Sequence, residues 1–86
     1  MKILHVMRNT GDAFAWQTIG RQIEKKENRV SVLLLHDAVF SAIQKGGEVY
    51  ACRDDVESRG VKTSASLVGY PEIVTMLLET DSVVCW

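Results

Sequence analysis

Proline occurs once and glycine six times among 86 residues, so this is not the composition of a linker, a collagen-like repeat or a disordered tract. No apolar run approaches the length that spans a bilayer. Met1-Lys2 leads into ILHVM, a stretch too short for the apolar part of a secretory signal. The expectation is a soluble, cytoplasmic protein with no membrane contact. Cysteine is scarce, with only Cys52 and Cys85 present, and in a reducing compartment these read as free thiols. There is no CxxC pair and no neighbouring pair of histidines to supply zinc-ligand spacing. No metal and no organic cofactor is expected.

An excess of one charge is also missing. Ten basic and eleven acidic residues leave a net charge of −1, and the run Glu24-Lys25-Lys26-Glu27 cancels itself. Without a basic stripe to neutralise phosphates, direct nucleic-acid binding by the chain alone is not expected. The stretch MRNTGDAFA (7–15) places Thr10 and Gly11 before a helix start but lacks both the G-x-G-x-x-G and the P-loop patterns. It reads as a helix-entry turn.

What the sequence does have is apolar content, 47% of residues. One core is expected over residues 1–86, and a chain of this size buries roughly 60–65% of its unfolded surface. Some apolar surface is therefore expected between subunits. The apolar residues fall into five β-rich runs: KILHVM (2–7), RVSVLLL (29–35), EVYAC (48–52), SLV (66–68) and SVVC (82–85). The near-continuous VSVLLL is typical of a strand covered on both faces. Between the runs there is room for crossover helices, which predicts a mainly parallel five-stranded sheet in a three-layer α/β/α fold.

Four helices are predicted. The first follows Asn9-Thr10-Gly11, with Asp12 as cap and Ala15, Trp16, Ile19 and Ile23 as its core stripe. Another starts at Asp37, capping AVFSAIQK, and stops at Gly46-Gly47. A short one covers Asp54 to Arg59 and ends at Gly60. The last begins at Tyr70-Pro71, with proline at its favoured first position, and turns Ile73, Val74, Leu77 and Leu78 to the core.

Ligands and reactive groups of a parallel sheet gather at the carboxyl ends of its strands. There the sequence places Arg8-Asn9, His36-Asp37 and Cys52-Arg53. Cys52 is the candidate reactive thiol: a following helix and Arg53 favour its thiolate, while Asp54 and Asp55 oppose it. The alternative is a small apolar residue closing a strand end. His36 could orient the thiol or act on it by charge, or could instead cap the strand. Asp37 is mainly a helix cap, and His5 is a polar residue within the first strand. Cys85-Trp86 ties down a final strand, and Phe40 is a candidate oligomer contact.

Taken in order, ILHVMRNTG, VLLLHDAVFSAI, VYACRDDVESRGV and SVVCW resemble the DsrE/DsrF/DsrH sulfur-relay family over essentially the full chain, and its short DsrH/TusB branch in particular. The resemblance implies a small α/β/α domain that assembles with copies of itself or with DsrE/DsrF (TusD/TusC)-like chains. It also implies exchange of persulfide sulfur with donor and acceptor proteins, for 2-thiolation of the tRNA wobble uridine or for sulfur oxidation. Cys52, ahead of Arg59-Gly60, is similar in placement to the persulfide-carrying cysteine of the DsrE/TusD branch, with Arg53 and His36 as tuning groups. TusB-like chains usually carry another residue there, and DsrH-like cysteines fall in the first helix, where this sequence has none. Both a carrier through Cys52 and a noncatalytic assembly subunit are therefore expected roles to be weighed.

Overall fold

A computed structural model of the chain describes residues 1–10, 12–41 and 48–86. Five strands, β1 (Lys2–Met7), β2 (Arg29–Leu34), β3 (Glu48–Cys52), β4 (Ser66–Val68) and β5 (Ser82–Cys85), form one sheet in the order β4-β3-β2-β1-β5. Each neighbouring pair is parallel. Among the described residues three α-helices connect them, α1 (Ala13–Ile23), α2 (Arg53–Arg59) and α3 (Tyr70–Glu79), together with a short 3₁₀ segment, His36–Phe40. The predicted three-layer α/β/α architecture is the one observed.

Alternation along the strands divides the apolar residues into two cores. On one face Met7, Val32, Leu34 and Ala51 meet Trp16 and Ile19 of α1 and Val56 of α2. On the other, Leu4, Val6, Leu33, Cys52 and Val68 meet Ile73 of α3. β2 supplies both, which is why its sequence runs apolar almost without a break.

Local chemistry sets the helix ends. Asp12 caps α1, its Oδ1 accepting from the Ala15 amide at 3.0 Å. α2 stops where Gly60 takes the left-handed conformation, φ 61°, at no Cβ cost. Pro71 opens α3, and the Glu72 carboxylate accepts from the Gly69 amide at 3.1 Å.

Two helix expectations need correction. Asp37 caps no helix: it lies within the 3₁₀ segment, whose cap position is Leu35, and its carboxylate accepts from Arg59 Nε at 3.3 Å. The predicted continuation of that helix, residues 42–47, lies outside the described residues. In α3 only Ile73 of the four predicted core residues is buried, while Val74, Leu77 and Leu78 are exposed. Among the described residues α3 is the helix packed on this face of the sheet; its ten residues present one narrow stripe inward, and its remaining apolar residues face out.

Candidate functional site

The strand order brings the three predicted residue pairs to one edge. β3, β2 and β1 are adjacent, so Cys52-Arg53, His36-Asp37 and Arg8-Asn9 follow one another along the carboxyl end of the sheet. Cys52 is the last residue of β3 and the residue before α2, paired in register with Val68 of β4. Its side chain lies on the α3 face among Leu4, Val6, Leu33, Val68 and Ile73, and the residue is 1% exposed. Strand-end packing thus describes its resting surroundings, and polar company begins with the first turn of α2.

Asp55, one turn into α2, is the centre of that company. Its Oδ2 accepts from the His36 amide at 2.9 Å, and its Oδ1 from Arg59 Nη1 at 3.4 Å. The His36 amide, ahead of the thiol and Arg59, holds the Asp55 carboxyl below the usual carboxylate range. His36 itself has φ 50°, a left-handed conformation that costs a residue with a Cβ about 1 kcal/mol or more. The Asp55 acceptor rewards that conformation. Tyr70, the first residue of α3, follows β4 two positions beyond the partner of Cys52. The Cys52 sulfur, ahead of Asp54, pushes the Tyr70 phenol above its ordinary range.

The predicted tuning residues divide. His36 reaches the cluster through its backbone amide, with its imidazole exposed. Arg53 runs toward the start of α3, its Nη1 3.5 Å from where a Cβ on Gly69 would stand, beside the Glu72 carboxylate. Asp55, Arg59 and Tyr70 were not singled out from sequence as site residues. The i,i+4 spacing of Asp55 and Arg59 was a readable signal; the approach of Tyr70 depends on β4 pairing with β3 and was not.

A second polar group occupies the amino edge of the α3 face. Glu48 accepts from Arg29 Nη2 at 2.6 Å, Ser31 Oγ at 3.1 Å and the Tyr50 hydroxyl at 3.4 Å. Arg29, by its hydrogen bonds, draws the Glu48 carboxyl down. Desolvation, then the Glu48 charge, raises the Tyr50 phenol. A cavity of about 180 Å³ opens here between Lys2, Arg29, Glu48, Tyr50 and Glu79. Its internal charges balance, and its one carboxylate network is already saturated by donors.

Cys85 is exposed at the end of β5, on the same sheet face as Cys52. Three inter-strand steps separate β3 from β5, roughly 14 Å at strand spacing, too far for a disulfide. Among the described residues no three His, Cys, Asp or Glu side chains converge as a metal site. No helix among them is long and apolar enough to cross a membrane.

A five-stranded parallel sheet in this order, with helices on both faces, is an α/β architecture of the DsrEFH-like fold. Among solved structures it is matched by the crystal structure of the YchN protein from E. coli, with a TM-score of 0.76 and 19% sequence identity, over 100% of this chain and 99% of that chain. At that identity the likeness is one of fold. No protein-family model and no curated protein matches the sequence.

Proposed function

We propose that this chain is a subunit of a sulfur-relay assembly in which Cys52 carries sulfur as a persulfide. The observation that carries the reading is the position of Cys52: at the carboxyl end of β3, where this architecture gathers its chemistry, in a DsrEFH-like fold, immediately before α2, whose first turn holds Asp55.

The reaction needs only thiol chemistry. The Cys52 thiolate attacks the outer sulfur of a donor persulfide, the donor S–S bond breaks, and the donor leaves as its thiolate. Cys52 then bears the outer sulfur, and attack on that sulfur by an acceptor thiolate repeats the exchange in reverse roles. No net oxidation occurs, so no outside oxidant is required. At rest the Cys52 side chain packs in an apolar cluster with Val68 and Ile73. Loading therefore requires the first turn of α3 to move, and Gly69 precedes that turn. Donor and acceptor proteins, and DsrE/DsrF (TusD/TusC)-like chains or further copies, are the partners this reading assigns. The end use is wobble-uridine 2-thiolation or sulfur oxidation.

The 1% exposure of Cys52 favours a second reading, a noncatalytic assembly subunit with the thiol as packing. Brief polysulfide treatment of the reduced native protein, followed by intact and peptide mass measurement, separates the two. The carrier reading expects reductant-sensitive addition of sulfur at Cys52, retained in Cys85→Ser and lost in Cys52→Ser. Addition at Cys85 alone, or no addition even with α3-side partners present, supports the assembly subunit.

A further inference from the structure

The sheet face that meets α3 changes character along its strands. Toward the carboxyl end it is apolar, with Val6, Leu33 and Val68 around Cys52. Toward the amino end the same face carries Lys2, Arg29, Ser31, Glu48 and Tyr50 beside the end of α3, and a cavity of about 180 Å³ lies between them. Glu48 organises the polar floor: Arg29 Nε and Nη2 donate to its Oε1 at 3.1 and 2.6 Å, and the Ser31 and Tyr50 hydroxyls donate to its Oε2 at 3.1 and 3.4 Å. Each of the three partners keeps a function that Glu48 does not use. Arg29 Nη1 has no acceptor among the described residues, and the two hydroxyl oxygens, having donated their protons, can still accept. Lys2 and Glu79 also line the cavity, and among the described residues neither is in an ion pair.

We propose that this cavity binds a free α-amino acid, its carboxylate at Lys2 and Arg29, its ammonium at Glu79 and the Ser31 and Tyr50 oxygens, and its aliphatic side chain against Leu4 and Met76. Size and charge both select that class. The volume holds about six waters at roughly 30 Å³ each, and falls below the roughly 300–1,000 Å³ of pockets for larger ligands. Two cations, Lys2 and Arg29, and two carboxylates, Glu48 and Glu79, surround it, so a ligand of one sign gains nothing from the site as a whole, whereas a zwitterion is matched at both ends. Lys2 and Arg29 are register partners on β1 and β2, about 4.8 Å apart at strand spacing, and together offer a carboxylate charge-assisted hydrogen bonds. Leu4 and Met76 supply the apolar wall. The groups are pre-organised, because Arg29 holds the Glu48 carboxyl ionised and burial with the Glu48 charge keeps the Tyr50 phenol protonated. The site stands at the opposite end of the strands from Cys52 and does not rest on the sulfur-relay reading.

Amide chemical shifts of the ¹⁵N-labelled full chain, followed at neutral pH as L-valine is added to about 20 mM, test it at the weak affinities open to so small a ligand. Isovalerate and isobutylamine at matched ionic strength present each charged half alone. The expected result is a saturable shift at the amides of residues 2–4, 29–31, 48–50 and 76–80, which flank the cavity, with either half binding at least tenfold more weakly. Arg29→Met and Lys2→Met should each weaken valine at least fivefold. Both side chains are exposed, so the fold should survive, as circular dichroism will show, and Glu79→Gln supplies an independent variant on α3 with the same expected loss. Lys62→Met, at an exposed residue away from the cavity, should leave binding unchanged. No saturable shift with valine overturns the proposal. So does a response to isovalerate or isobutylamine equal to that of valine, or valine binding indifferent to Arg29→Met, Lys2→Met and Glu79→Gln.

Discussion

His5 shows how much one polar side chain in a strand interior can bind together. It is fully buried, its Nδ1 accepting from Trp86 Nε1–H at 3.0 Å and its Nε2–H pointing to Gln22 Oε1. One tautomer of the neutral ring satisfies both contacts, and the imidazolium cannot, because Trp86 has only a proton to offer. Burial lowers the His5 pKa below its ordinary 6.5, against a smaller raising by Gln22. The unfolded chain therefore takes up this proton first as pH falls. The stability tied to neutral His5 is fully present above pH 6.5 and is lost as pH drops from there toward the lowered folded-state value. Urea unfolding at pH 7.5, 6.5 and 5.5 should show it, with His5→Gln flattening the slope across that window. An equal slope in both proteins would remove His5 as the cause. Trp86→Phe, which keeps the ring and deletes the donor, should cost about 1–3 kcal/mol by leaving Nδ1 unpaired. At His36, the φ of 50° makes the opposite prediction: His36→Gly should be neutral or stabilising by up to about 1 kcal/mol, and His36→Val destabilising.

Among the elements, those whose ends are set by local chemistry were the legible ones. Asp12 before α1 and Gly60 after α2 both act as the sequence suggests, because a cap depends on a few residues of contiguous chain. Gly60→Ala should accordingly cost about 1 kcal/mol in thermal or urea unfolding: nothing lies within 4 Å of the added Cβ, so the penalty is the left-handed backbone alone. A neutral result would mean that the α2 end readjusts. The inward face of α3 was not legible. Its sequence, YPEIVTMLLE, is apolar on more than one side, and periodicity cannot tell which side meets the sheet when both are apolar. Asp37 failed as a cap for a related reason. The chain turns at His36 into a 3₁₀ segment, and the carboxylate finds Arg59 from α2, a contact 22 residues away that no local pattern announces.

The molecule as a whole was half legible. Five apolar runs and the spaces between them identified a parallel α/β sheet, and the carboxyl-edge rule placed Cys52, His36 and Arg8 on one rim. The strand order was not available from sequence, because β4 and β5 are consecutive in the chain yet stand at opposite edges, so α3 crosses the width of the sheet. That crossing determines the chemistry of both thiols: it carries Ile73 over Cys52 and leaves Cys85 bare on the far edge strand. Reactivity toward a small alkylating reagent at neutral pH should divide accordingly. Cys85 needs no structural change, whereas Cys52 must wait for the start of α3 to lift. An opening of about 3 kcal/mol, modest for a helix held by one buried side chain, would slow it by about 100-fold. Ile73→Ala should raise the Cys52 rate and leave Cys85 unchanged. Equal rates at the two cysteines in the native protein would show that α3 is no barrier, and that the burial of Cys52 does not govern its access to a sulfur donor.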